Sequence, residues 1–177
     1  MQRFDASNST CRISTRREGM LSAVGHDLEI DVADFSIDVE GPALRVRARF
    51  DASSLRVRGA VEQGRVRPEK LSQRERDQID RQIADDVLDS RSHPYIEFIS
   101  TEIEPDPEGY LVRGELRLRG ASRSLRVAAR RVPAGLEVHA TIHQPDFGIK
   151  PFRALGGTLR VHPDVRVHIT APALTHG

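Results

Sequence analysis

The chain has 177 residues, 38% hydrophobic, 30% charged and 5% aromatic, with one cysteine and a formal net charge of +1. A chain of this size can withdraw roughly 70% of its unfolded surface from water, so one domain spanning residues 1–177 needs neither disulfides nor a structural metal. This hydrophobic content and near-neutral charge exclude a disordered chain, and no apolar run approaches the ~20 residues of a membrane helix, so stable membrane insertion is not expected.

Residues 1–10 lack the basic-then-apolar layout of a secretion signal and no lipidation box closes the chain, so a cytoplasmic location is expected. Cys11 alternates with Ile13 and Thr15, the pattern of a small apolar strand residue. Leu28, Ile30 and Val32 share one parity and Phe35, Ile37 and Val39 the other, so a β-bulge is expected near Ala33-Asp34. After a turn at Glu40-Gly41-Pro42-Ala43, Leu44, Val46, Ala48 and Phe50 alternate with Arg45, Arg47 and Arg49. Setting Val39 opposite Leu44 places Asp34 and Asp38 across from Arg49 and Arg45, a pairing worth a few tenths of a kcal/mol.

Leu55-Arg56-Val57 reads as a further strand. Ser72 with Glu75 forms a capping box, and Ile79, Ile83, Val87 and Leu88 recur at helical spacing, predicting one helix over about 72–89. From His93-Pro94 the period returns to two. Ile96 and Phe98, then Val112, Gly114, Leu116 and Leu118, then Leu125, Val127 and Ala129 mark three strands. Leu136, Val138, Ala140 and Ile142, then Leu159 and Val161, then Val165, Val167 and Ile169 mark three more. Short turns at residues 106–109, 120–122, 133–135 and around Pro163-Asp164 make this an antiparallel meander, a barrel or a sandwich.

The chain carries no GxSxG elbow, HExxH pair, Walker loop or Cys-x-x-Cys pair. His139 and His143 share a strand face but stand about 13 Å apart, too far to hold one ion. His162 and His168 have the solvent-facing parity, so no metal site is expected. Arg113, Arg117, Arg119, Arg123, Arg126, Arg130 and Arg131 form a local excess of positive charge. It reads as a solvated face balanced by the helix's Asp77, Asp80, Asp85, Asp86 and Asp89, with attraction to an anionic surface as the other reading. Arginines that alternate with apolar residues, among few aromatics, do not suit nucleic acid. The segment from Gln144 to Gly157 loses the alternation while carrying Phe147, Ile149, Phe152 and Leu155, so it must fold over something apolar as a lid.

Four blocks carry a resemblance. Gly25-His26-Asp27-Leu28 is the first; Ile79, Ile83 and Val87-Leu88 followed by His93-Pro94-Tyr95-Ile96-Glu97-Phe98 and Ser100-Thr101 form the second. Val112-Arg113-Gly114-Glu115-Leu116 with Leu118, Gly120 and Ser122-Arg123 is the third. Asp146-Phe147-Gly148-Ile149-Lys150-Pro151 with Gly156-Gly157-Thr158-Leu159-Arg160-Val161 is the fourth. In this order and spacing they resemble the YceI-like family, lipocalin-like barrels associated with isoprenoids and other long-chain amphiphiles.

The resemblance implies a mainly β fold: an antiparallel lipocalin-like barrel of about eight strands with the one helix inserted. It also implies a lumen holding a long-chain amphiphile such as a polyisoprenoid or isoprenoid quinone, and often a homodimer. The inward residues Leu44, Val46, Ala48, Phe50, Ile96, Phe98, Gly114, Leu116, Leu118 and Ala140, with Phe147, Ile149 and Phe152 from the lid, are the expected ligand contacts. His26, Asp27, Lys150 and Arg153 are the expected headgroup residues at the mouth. No catalytic residue and no cofactor is expected. The alternatives are an enzyme on an apolar substrate with the His26-Asp27 pair and His143 as acid and base, and a partner-binding barrel with a filled core.

Overall fold

The computed structural model describes residues 1–19, 25–41 and 44–175. In chain order these form β1 (Gln2–Asp5), β2 (Thr10–Thr15), β3 (Arg17–Glu18), β4 (Asp27–Val32), β5 (Phe35–Glu40), β6 (Arg45–Asp51), β7 (Leu55–Glu62) and β8 (Arg65–Arg67). Helix α1 (Gln73–Gln82) precedes β9 (Tyr95–Asp106), β10 (Gly109–Leu118), β11 (Ala121–Val132), β12 (Gly135–His143), β13 (Arg153–Ala154), β14 (Leu159–Val161) and β15 (Asp164–Ala171).

Three pairs of consecutive strands are halves of longer, bent ones. β1 pairs with β5 while β2 pairs with β4, and β5 pairs with β6 while β4 pairs with β7. With each bent pair counted once and the short β8 set aside as an edge strand on the end of β7, the wall has eight antiparallel strands, closed by the ladders from β2 to β15 and from β6 to β9. β3, β13 and β14 form a separate small sheet.

The phase change at Ala33-Asp34 is a corner, and the expected bulge is not there. Both strands leave the ladder at the same level: Ala33 N–H donates to Ser54 O at 3.0 Å, Asp34 N–H to Ser54 Oγ at 3.1 Å, and Asp51 N–H to Asp34 O at 3.0 Å. A bulge adds a residue to one strand alone, whereas here both bend together. Bulges occur elsewhere. Thr101 is extra between the Ser100–Gly114 and Glu102–Arg113 partners, which turns Ile103 to the same side as Phe98. Arg58 is extra between Val57–Ile30 and Gly59–Glu29.

The β5–β6 register also differs from the expected one. Val39 faces Val46, so Asp38 lies across from Arg47 and Glu40 from Arg45. Leu44, at φ 40°, belongs to the turn and donates its N–H to Gly41 O at 3.3 Å. Pro42 and Ala43 of that turn lie outside the described residues. A slip of two preserves every face, which is why the inward residues are unaffected.

Ser72 caps α1 reciprocally with Glu75, and the helix ends in a wider π turn over Ile83–Val87. Leu71 and Leu88 are buried, and Ile79, Ile83 and Val87 pack against the core from one stripe. Asp80 Oδ1 accepts the Val57 N–H at 2.8 Å and so ties the helix to β7. Among the described residues, no ion pair joins the helix aspartates to the arginine-rich hairpin. Its partners are nearer: Glu102 to Arg113 at 2.9 Å, Glu108 to Arg130 at 3.5 Å, the Gly148 carbonyl to Arg119 at 3.1 Å, and the Tyr110 ring under Arg131. The hairpin turn itself is Arg119-Gly120, both at positive φ, one residue earlier than expected.

Candidate functional site

Alternation along the barrel strands turns one apolar set inward, and these side chains do not fill the space they enclose. A cavity of about 190 Å³ runs inside, and Leu44, Val46, Ala48, Phe50, Ile96, Phe98, Leu116 and Ala140 all lie on its wall. Cys11 lies there too, its thiol pushed up to about 12 chiefly by burial, with the Asp31 charge adding to it. At this value it is neutral and unreactive, an apolar wall residue.

A second cavity of about 340 Å³ occupies one end of the barrel, under α1 and the lid segment. Leu118, Ile149 and Phe152 line it together with Ile79, Ile83 and Val87 of the helix region. Ile13, Leu55, Ile96, Ile142 and Val167 border both cavities, which therefore adjoin. Two expected contacts fall outside the walls. Phe147 is buried within the core, and Gly114 is a packing residue: a Cβ there would stand 2.4 Å from the Phe98 ring. Its lack of a side chain is what allows that ring to lie across the strand.

The rim of the second cavity carries Arg17, His26, Gln82, Gln144 and Arg160. Of the four expected mouth residues only His26 belongs to it, and its Nδ1 is buried without a hydrogen-bond partner. Asp27 is engaged in holding the backbone, accepting the Arg17 N–H at 2.8 Å. Lys150 is exposed because its neighbour Ile149 takes the inward direction, and Arg153 is exposed across from Arg160. The Arg17 guanidinium donates to the Gly25 carbonyl and lies 3.9 Å from Asp27; Arg160 pairs with Glu18 at 2.6 Å. Both rim charges are thus compensated.

The acid–base constellation is not assembled. Asp27 serves Arg17, and His143 lies on the outer face of β12, where its Nδ1 is 2.6 Å from Asp164 Oδ1. Arg17, Gln82, Gln144 and Arg160 were missed by sequence reasoning, since they come from four distant segments and carry no shared motif.

Among the described residues, no helix is long and apolar enough to cross a membrane. No curated protein sequence matches the chain. Among solved structures, BcnA of Burkholderia cenocepacia is similar over 93% of this chain and 97% of its own, with a TM-score of 0.59 and 17% identity. A polyisoprenoid-binding domain of Saccharophagus degradans, implicated in plant cell wall breakdown, is similar over 93% of this chain and 94% of its own, with a TM-score of 0.52 and 11% identity. At such identities the likeness shows the fold. The profile of the YceI-like domain matches residues 3–173, nearly the whole barrel, and the chain belongs to that family.

Proposed function

We propose that the protein binds a long-chain amphiphile, a polyisoprenoid or isoprenoid quinone by class, and carries or sequesters it without chemical change. The observation that carries this reading is the pair of adjoining apolar cavities, of about 190 and 340 Å³, inside a closed barrel. An apolar cavity of ~150 Å³ already stays dry and accepts a benzene-sized molecule, so this lumen is a poor place for water and a good one for hydrocarbon. Burying ~10 methylenes at about 0.8 kcal/mol each gives roughly 8 kcal/mol, near micromolar affinity before association costs.

The headgroup belongs at the rim. With Arg17 and Arg160 each beside a carboxylate and the Gln144 amide nitrogen donating to the His162 carbonyl at 3.1 Å, the hydrogen-bonding groups left there are Thr15, His26, Gln82 and the Gln144 amide oxygen, which suit an uncharged polar head such as a carbonyl or hydroxyl better than a diphosphate. The described polyisoprenoid binding of the structural neighbour supports the same class of ligand.

Native mass spectrometry and lipid extraction of freshly purified protein test the proposal. The expected result is one elongated lipid per chain, displaced by added isoprenoid quinone. Repeated recovery of ligand-free protein that takes up no quinone or polyisoprenol from detergent would overturn it.

A further inference from the structure

The outer face of the barrel holds a cluster that the lumen does not use. β12 and β15 set His139 directly across from His168, and Glu137 lies two residues along β12 on the same face. The two imidazole rings are stacked, with centroids 4.5 Å apart and planes 10° from parallel. Glu137 Oε2 lies 3.7 Å from His139 Nε2. One ligating atom from each of the three residues falls within 4.8 Å of the others, and Nε2 of His168 is buried with no hydrogen-bond partner.

We infer that Glu137, His139 and His168 form a binding site for a single divalent transition-metal ion, zinc being the best fit. Zinc takes imidazole nitrogen at about 2.0–2.1 Å and carboxylate oxygen at about 2.0–2.2 Å, so tetrahedral ligand atoms lie roughly 3.3 Å apart. The 3.7 Å between Glu137 and His139 is already near that value, while the two stacked imidazoles must tilt about their Cβ–Cγ bonds so that their in-plane nitrogen lone pairs converge on one ion. Two nitrogens and one oxygen exclude magnesium and calcium, which want oxygen shells, and leave a fourth position for water.

The surrounding charges are already matched. Arg12, the other cross-strand neighbour of His168, lies 3.4 Å from Asp31 and 3.9 Å from Glu29. Arg130, across from Glu137 on β11, lies 3.5 Å from Glu108. Thr170, across from Glu137 on β15, has its hydroxyl 2.6 Å from that of Thr10. These partnerships leave Glu137 beside the imidazoles. Sequence spacing rules out His139 with His143 along one strand, and parity sets His168 aside as solvent-facing; the ligand pair lies across the ladder on that outer face, 29 positions apart, where spacing within a strand gives no sign of it.

The test titrates tag-free, chelator-treated protein with zinc by calorimetry and with cobalt by visible absorption. One ion per chain and the intense absorption of a tetrahedral cobalt centre are expected. His139→Gln and His168→Gln should each weaken binding by roughly tenfold or more, Glu137→Gln by less, and His143→Gln, whose ring lies about 13 Å along the same face, should leave it unchanged. All four positions lie on the outer face, and circular dichroism establishes that each variant is folded; if one histidine variant is not, the other and Glu137→Gln decide. Absence of stoichiometric binding to the parent protein, or equal binding by the parent and the folded ligand variants, would overturn the inference.

Discussion

Asp164 shows what one contact does on the barrel's outer face. The hydrogen bond from His143 holds its carboxyl below the usual carboxylate range, with the charges of His143, His162 and Arg16 acting in the same direction. A carboxyl lowered on folding contributes stability that is complete above its unfolded value of about 3.9 and is lost as pH falls through the lowered one. His143→Ala should therefore raise the Asp164 titration toward the ordinary value, read by NMR of its carboxyl carbon; an unmoved titration would show that the bond is not the cause. At this scale the sequence is informative about walls and picks out only His26 of the rim. Val46, Ala48 and Phe50 were legible because a strand with arginines on one side leaves only one direction for its apolar residues. Gln82, Gln144 and Arg160 were not, because a polar residue beside a cavity looks like any other polar residue until the chain brings it there.

Among the elements, α1 covers the side of β7 that lacks a ladder partner over residues 55–59, where β8, paired only with Ala60, Val61 and Glu62, does not reach. The Val57 N–H points that way and would be a buried, unpaired donor without the Asp80 carboxylate at 2.8 Å. Asp80→Ala should cost about 1–3 kcal/mol by urea denaturation, whereas Asp80→Asn, which keeps an acceptor oxygen, should recover part of the loss. Equal losses in both variants would show that the negative charge matters more than the acceptor. The helix and its capping box were readable from Ser72, Glu75 and the apolar stripe, but Asp80 was grouped with the other acids as a counterweight to the arginine hairpin. Its actual partner is a backbone donor more than twenty residues away, which no charge pattern marks. The corner at Ala33-Asp34 was half legible: parity registered the break, but a bulge and a shared bend give the same signal when only one of the two strands is considered.

For the molecule as a whole, the decisive quantity is space left unfilled. Ala48 and Ala140 lie on the lumen wall, where a larger residue has room to project inward. Ala48→Trp should fill part of that volume and abolish uptake of a lipid, measured by competition with a fluorescent polyene, while the circular dichroism spectrum stays that of the parent. Undiminished uptake by the folded variant would place the tail elsewhere. Sequence alone could count strands and choose the inward set, yet it could not separate a plugged barrel from a hollow one, since both need the same alternation. The closure adds one consequence. β9 is laddered to β6 and not to β7, so the wall changes there from backbone hydrogen bonds to side-chain packing beneath α1. Lifting that helix breaks the Asp80 tie and its apolar contacts but no rung between strands, so the second cavity can be uncovered on that flank while every ladder of the cylinder stays zipped.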